Sequence, residues 1–172
     1  YGMTTPFSPM LAAPHGRPSP GWWAQQKLDG HRRAITITGN KITGWSRKGT
    51  PADLPAPLVE SLQCFTGTGW TITLDGELMA DGTWWAFDLP VLRHGAGGGL
   101  TARSTQTDRL DALERLYNLW NPDQGTARLL PVARTDEDVT RLVKTVGRVG
   151  GEGVIYKNPR GLYVEGKRSN QW

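Results

Sequence analysis

The sequence predicts an α+β fold, built on antiparallel sheets with two or three helices packed against them. Three observations carry that expectation. The dipeptides Gly39-Asn40 and Asp81-Gly82 each separate a pair of strand-like runs, the pattern of a two-residue hairpin. Two later stretches repeat their apolar residues at helical rather than alternating spacing. Hairpins therefore outnumber crossovers, which argues against a doubly wound parallel sheet. The 172 residues are the length of one domain, 1–172, with enough chain for a sizeable core and no internal repeat.

In chain order, residues 1–21 carry several prolines and glycines around the apolar patch Pro9-Met10-Leu11-Ala12 and read as an extended segment against the body. Trp22 to Lys27 reads as a strand. Arg33 to Thr38 alternates, turns at Gly39-Asn40 and returns over Lys41 to Trp45, and the basic turn Ser46-Arg47-Lys48-Gly49 follows. A short helix is expected over Pro57 to Phe65, with Leu58, Leu62 and Phe65 on one face. Trp70 to Met79 is the next strand, and Asp81-Gly82 leads into Trp84 to Asp88. Gly95 to Gly99 reads as a mobile surface loop; no lysine follows in the register of a phosphate-binding loop. From Ser104 an amphipathic helix is expected, with Leu110, Leu113, Leu116, Tyr117 and Trp120 on its apolar face. A strand over Arg128 to Ala133 comes next. Thr135 and Asp138 then form a capping box opening a helix with Val139, Leu142, Val143 and Val146 on one face, ended by Gly150-Gly151. Glu152 to Lys157 is the last clear strand, and Gly161 to Val164 starts another.

Composition sets the class of partner. A net charge of +4 admits a polyanion. Cys64 is the single cysteine, so a disulfide framework and a cysteine-rich zinc cluster are excluded and a reducing compartment fits. No apolar run approaches the length of a membrane span, and no signal-peptide pattern precedes the first glycines. The chain opens at Tyr1 and stops at Trp172 without tail composition, as a piece cut from something longer would.

The chemistry is expected around Lys27-Leu28-Asp29-Gly30-His31-Arg32. A lysine ends an apolar aromatic run, a turn-type Asp-Gly follows, and an arginine closes the turn. That order points an ammonium into a pocket with a cation close behind it. Only about one lysine in a thousand is free amine near neutral pH, and a downward pKa shift of about three units corresponds to roughly 4 kcal/mol. Burial and a neighbouring cation both push in that direction, so the site could make a lysine nucleophilic. Each position also has a plain structural reading. Lys-x-Asp-Gly is a common hairpin turn, Glu77 could face solvent, Glu152 could punctuate a helix end, and Phe87 could be core. Together, a candidate nucleophile, two acids at strand positions, an aromatic and several cations make the parts of a nucleotide site.

The order Lys-x-Asp-Gly-x-Arg, Ser-Arg-x-Gly, Leu-Asp-Gly-Glu-Leu, aromatic-x-Phe-Asp and Glu-Gly-x-x-x-Lys resembles the adenylation domain of ATP-dependent DNA ligases. That domain belongs to the covalent nucleotidyltransferase superfamily, with RNA ligases and mRNA capping enzymes. The resemblance runs from Pro9 to Trp172 and implies two antiparallel β-sheets with flanking helices and a nucleotide groove between them. It implies that Lys27 attacks the α-phosphorus of ATP, expels pyrophosphate and holds AMP as a phosphoramidate. Arg32 would contact the nucleotide and later the 5′-phosphate of a nick, which Arg47 would help to grip. Glu77 would bind the ribose hydroxyl, Phe87 would stack on adenine, and Lys157 and Arg168 would meet phosphates. Glu152, with Glu77, would hold a divalent metal, and Mg2+ suits those oxygen ligands. Gln25 stands where many members carry a glutamate that reads the adenine amino group; its amide can accept there and donate to a ring nitrogen.

The implied protein is a monomeric catalytic core of a compact phage or bacterial DNA ligase, taking ATP and nicked double-stranded DNA. It would work away from membranes in the bacterial or infected-host cytoplasm, in DNA replication, repair or recombination. The family's final Lys-x-Lys motif would fall beyond Trp172, and the chain is expected to lack the oligonucleotide-binding domain that normally follows. Two alternatives stand beside this reading. One is an RNA ligase or capping-type enzyme; the other is a non-catalytic nucleic-acid-binding module that kept the fold.

Overall fold

The computed structural model describes residues 5–13, 19–95 and 97–172. Its main sheet is built from consecutive hairpins. Strand β3 (His31–Thr38) turns through Gly39, at φ +57°, into β4 (Lys41–Trp45). Glycine comes first in that turn because the first turn residue needs positive φ. β5 (Trp70–Leu78) lies on the other edge of β3, and β6 (Trp84–His94) returns beside β5 after the Asp81-Gly82 turn. There the Asp81 carboxylate accepts from the Thr83 backbone N–H at 2.9 Å. The order β4-β3-β5-β6 is extended by β7 (Gly97–Gly99), antiparallel to β6, and β8 (Ala127–Leu129) pairs parallel with β6.

Three helices complete the fold. α1 (Ala56–Leu62) starts with Pro57 in its first turn, where no N–H is needed, and runs into a single 3-10 turn at Gln63–Phe65. α2 (Gln106–Trp120) opens with a full capping box. Thr105 Oγ1 accepts from the Asp108 N–H, and the Asp108 carboxylate accepts from the Thr105 N–H. It lays Leu110, Leu113, Leu116 and Trp120 against Ile35, Ile37, Ile72, Leu74 and Trp84 of the sheet, with Leu58 and Leu62 from α1. Trp84 is fully buried, and its indole N–H donates to the Arg33 carbonyl at 3.0 Å.

β3 is buried on both faces along its middle. Ile35 and Ile37 enter the main core, while Ala34 joins Phe7, Trp45 and Tyr163 in a second cluster on the other face. A small sheet of β2 (Trp23–Gln26) and β9 (Val154–Lys157) lies under α3 (Asp136–Arg148). Reciprocal backbone bonds between Ala24 and Ala133 join β2 to the chain leaving β8. Short parallel strands β1 (Leu11–Ala12) and β10 (Arg168–Ser169) tie the N-terminal segment to the C-terminal one.

The α+β class and the stacking of helices on hairpin-built sheets are as expected, with two parallel pairings added. Four local expectations change. Gly97–Gly99 is an edge strand, because β6 runs on to His94 and offers its backbone edge as a partner; Ala96 lies outside the described residues. The strand expected over Arg128 to Ala133 is Ala127–Leu129. Gly161 to Val164 forms no strand, and Arg168–Ser169 pairs instead. At α3 the cap is one-way: Thr135 accepts from the Asp138 N–H, but the Asp138 carboxylate turns to Arg141 at 3.0 Å. Residues 1–4 and 14–18 of the expected N-terminal segment lie outside the described residues. No described helix is long and apolar enough to cross a membrane.

The polar heart of the core is Asp88 on β6. It accepts from Arg109 of α2 at 2.9 Å, from Gln106 at 3.1 Å and from the Leu89 N–H at 2.8 Å. Arg109→Met should therefore cost about 3–5 kcal/mol, because it strands a buried carboxylate. Asp88→Asn with Arg109→Met should cost clearly less, since the charge leaves with its partner. Urea denaturation of the single and double variants checks this, and equal losses would contradict it.

Candidate active site

All site residues selected from the sequence line one cleft of about 800 Å³, a size typical of small-molecule sites. Two walls supply them. On the small sheet the antiparallel ladder pairs Gln25 with Ile155 and Gln26 with Val154. Its next step is the Lys27 N–H, which donates to the Gly153 carbonyl at 2.9 Å. Residues 125 positions apart in the chain thus meet at one strand end, and Lys27 Nζ lies 3.9 Å from Glu152 Oε2. Gln25 and Lys27, two apart on an extended chain, point to the same side.

The main sheet supplies the other wall. Arg32 and Glu77 are direct cross-strand partners on β3 and β5. Gly30 brings the turn after Lys27 onto β5: a Cβ there would meet the Leu78 carbonyl and the Glu77 side chain. Its N–H donates to Glu77 Oε2 at 3.2 Å. Phe87 sits where the ladder slips, because Asp75 pairs with Asp88 but Gly76 pairs with Ala86. The extra residue of that bulge has no partner across the ladder and is turned toward the cleft. Gly76 allows the slip; a Cβ there would meet the Trp84 ring and the Trp85 carbonyl. Arg47, exposed on the Ser46–Gly49 turn, and Arg168, whose guanidinium donates to the Ala12 carbonyl at 2.8 Å, complete the rim.

Two features of the expected lysine site change. Lys27 is not buried, its side chain being 55% exposed, and its ion-pair partner is a carboxylate rather than a cation. Arg32, expected close behind it, is instead committed to Asp75. Its Nε and one terminal nitrogen donate to the two carboxylate oxygens at 2.7 Å each, and that nitrogen also donates to the Met10 carbonyl. The reason is the buried Asp75, which needs a cation and finds it on the adjacent strand. Tyr163 adds its hydroxyl to Asp75 at 2.5 Å, and the phenol is held well above its ordinary pKa by burial and by that carboxylate.

Charge and burial differ sharply among the rest. Lys157 is almost completely buried, and burial, against the pull of Asp88 and Asp75, lowers its pKa to about 8. Glu77 is shifted upward by burial, opposed by the Gly30 N–H and the Arg32 charge. Asp88 is held below the usual carboxylate range, because Arg109 and Lys157 outweigh its burial. Gln25 is 1% exposed; its Nε2 donates to the Leu130 carbonyl at 3.3 Å, while its Oε1 has no donor among the described residues. That orientation is forced, since a carbonyl neighbour admits only the NH2 end. A buried acceptor therefore waits in the cleft wall.

Sequence reasoning missed Asp75, Asp88, Gln106, Arg109, Tyr163 and Trp172, which order the cleft residues. One signal was available. Arg109 stands four residues before Leu113 and seven before Leu116, on the apolar stripe of α2, and a cation there requires a buried acid.

Glu77 and Glu152 are the carboxylates of the cleft, and no cluster of three or more metal-ligating side chains occurs among the described residues. That donor set fits Mg2+, which is commonly bound by one or two carboxylates with substrate phosphates and water rather than by an all-protein cage.

No protein-family model and no curated protein sequence matches the chain. Solved structures do. The ligase domain of M. tuberculosis LigD aligns with a TM-score of 0.67 and 23% identity over 96% of this chain and 59% of its own. Mycobacterial DNA ligase D complexed with ATP and MES gives 0.62 and 20%, over 96% of this chain and 58% of that one. Chlorella virus DNA ligase-adenylate gives 0.61 and 16%, over 96% and 65%. The chain has the fold of the adenylation domain of DNA ligases over nearly its whole length, and it spans less than two thirds of each of these relatives.

The buried Lys157 makes stability depend on alkaline pH. Its folded pKa, about 8, lies below its ordinary 10.5, so between those values the unfolded chain binds more protons. The contribution is present above the higher value and is lost as pH falls through the lower one. The stability of wild type relative to Lys157→Met, read from urea midpoints, should therefore rise as pH climbs through that window. A flat difference would mean that the amine keeps its proton there.

Proposed function

We propose that the cleft binds ATP and that the chain is the adenylyl-transferring core of a DNA ligase. The observation that carries this reading is the strand-end pairing of Lys27 with Glu152, opposite Glu77, Arg32 and Phe87 in a cleft rich in cations. It sits in a fold shared with proteins described as a DNA ligase bound to ATP and a DNA ligase-adenylate.

Lys27 Nζ attacks the α-phosphorus of ATP. The N–P bond forms as the bond to the β-phosphate oxygen breaks, and pyrophosphate leaves with the electron pair. The amine must first lose its proton to water, and until then Glu152 at 3.9 Å holds it as an ion pair at the mouth of the cleft. With Lys27 open to solvent, its activation belongs to the ligand-bound cleft, where substrate excludes water. Such transfer depends on placement and charge neutralisation more than on covalent help. Arg32 presents its remaining terminal nitrogen, Lys157 and Arg168 meet phosphates, and Glu77 takes the ribose hydroxyl. Phe87 stacks on the base. Glu152, with Glu77, would hold a magnesium ion, which supplies positive charge to the phosphate oxygens. AMP then passes from Lys27 to the 5′-phosphate of a nick gripped by Arg32 and Arg47, and sealing releases it.

Gln25 makes the base adenine. Its orphaned Oε1 accepts from the 6-amino group, whereas the 6-oxo group of guanine would set acceptor against acceptor. Gln25→Leu should reduce the preference for ATP over GTP by about tenfold, within the ~1–3 kcal/mol range of an unmet buried polar group. Calorimetric affinities for both nucleotides test it, and an unchanged ratio would remove Gln25 from base recognition.

The decisive experiment is covalent labelling with ATP carrying a labelled α-phosphate, in magnesium. Wild type should form an acid-labile protein–AMP adduct. Lys27→Ala and Lys27→Arg should form none, since arginine keeps the charge but does not deprotonate usefully. A labelled Lys27→Arg would place the nucleophile elsewhere. An unlabelled wild type that still binds DNA would favour the non-catalytic module, and preferential labelling by GTP would favour a capping-type enzyme.

A further inference from the structure

Helix α2 opens at Gln106, a fully buried residue outside the cleft lining. Its amide is fixed from both ends. Nε2 donates to Asp88 Oδ2 at 3.1 Å, and Oε1 accepts from the indole N–H of Trp172 at 2.8 Å. Only one orientation serves both, because a carboxylate requires a donor and an indole N–H an acceptor. Trp172 is thereby held edge-on to Phe87, with centroids 6.1 Å apart, and to Tyr163 at 5.7 Å. Lys157 Nζ lies 4.3 Å from the centroid of the Trp172 ring and 4.7 Å from that of Phe87. Among the described residues this ammonium has no hydrogen bond or ion pair. Asp88, the acid nearest to claiming it electrostatically, already accepts from Arg109, Gln106 and the Leu89 N–H.

We propose that Gln106 and Trp172 are positioning residues which, with Phe87, build a two-ring box that keeps the Lys157 ammonium buried but unpaired at the cleft wall. A lysine locked to a carboxylate would have its charge spent before any ligand arrived. Ring faces stabilise the cation without occupying its N–H donors. Those donors remain for the anionic part of a ligand, which on the nucleotide reading given above is a phosphate. Gln106 touches no ligand, so its influence must travel through Trp172.

Two measurements on the same full-chain variants test this. In the ligand-free protein, the ε-methylene NMR resonance of Lys157, assigned by its loss in Lys157→Arg, should be displaced by the ring currents of the box. The displacement should collapse in Trp172→Leu and in Gln106→Leu, and be partly kept in Trp172→Phe, which retains a ring without the hydrogen bond. Gln106→Leu leaves Arg109 on Asp88 and so retains the core pair. By calorimetry, Trp172→Leu and Gln106→Leu should lose about tenfold in ATP affinity, or roughly 1.4 kcal/mol, and Gln106→Leu, which lies outside the cleft lining, should leave adenosine affinity unchanged. A Lys157 resonance that ignores Gln106→Leu would overturn the proposal, as would equal losses for adenosine and ATP in that variant. Failure of the nucleotide reading looks different: wild type would bind neither ligand, and the phosphate role assigned to Lys157 would fall with it.

Discussion

Two buried carboxylates, Asp75 on β5 and Asp88 on β6, face each other across the sheet as direct partners. Like charges opposite one another in a ladder repel, and neither can be left unpaired in the interior. Each therefore draws in its own set of donors. Asp75 takes Arg32 from β3 and the hydroxyl of Tyr163, while Asp88 takes Arg109 and Gln106 from the first turns of α2. Lys157 arrives beside them from the small sheet. The need to neutralise two buried acids thus draws the sheet, the long helix and the C-terminal segment to one place, and that place adjoins the cleft.

The same arrangement divides the cleft into a committed and an uncommitted half. Arg32, Asp75, Asp88 and Arg109 are locked in short bonds and preorganise the wall of the main sheet. Lys27 and Glu152 lie at 3.9 Å, half exposed, at the end of a two-stranded sheet. Reactive groups need freedom to exchange partners, and groups that orient them need the opposite. Gln25 Oε1 and the Lys157 ammonium fall between: both belong to buried residues, and among the described residues neither has a hydrogen-bond partner. Unmet polar capacity of that kind destabilises the free protein and gives a ligand something to satisfy.

The N-terminal segment has a part in this. The Met10 carbonyl accepts from Arg32 and its N–H donates to Tyr163, while Phe7 stacks on the Tyr163 ring. Residues from both ends of the described chain therefore close around the Arg32–Asp75 pair, and the short β1–β10 pairing holds them together. The hairpin sheet alone would leave that pair open to water.

Much of this was legible in the residues. Hairpin dipeptides, the leucine stripe of α2 and the Thr135 cap of α3 are local signals, carried by side chains within a few positions of each other, and they set the α+β class and the element order. The order and spacing of the motifs also selected the residues that come to line the cleft, from Gln25 to Arg168. Tertiary structure decided what local signals cannot carry. The edge pairing of Gly97–Gly99 depended on how far β6 extends, and the exposure of Lys27 on where a two-stranded ladder ends. The bulge that frees Phe87 came from a slip between two strands, each regular by itself. Above all, the side-chain partners of the buried charges lie 18 to 88 residues apart, and no periodicity connects Asp88 to Arg109 or Asp75 to Tyr163. A sequence states which groups must be neutralised; only the packed chain determines which group does it, because burial and distance exist only once the strands and helices have met.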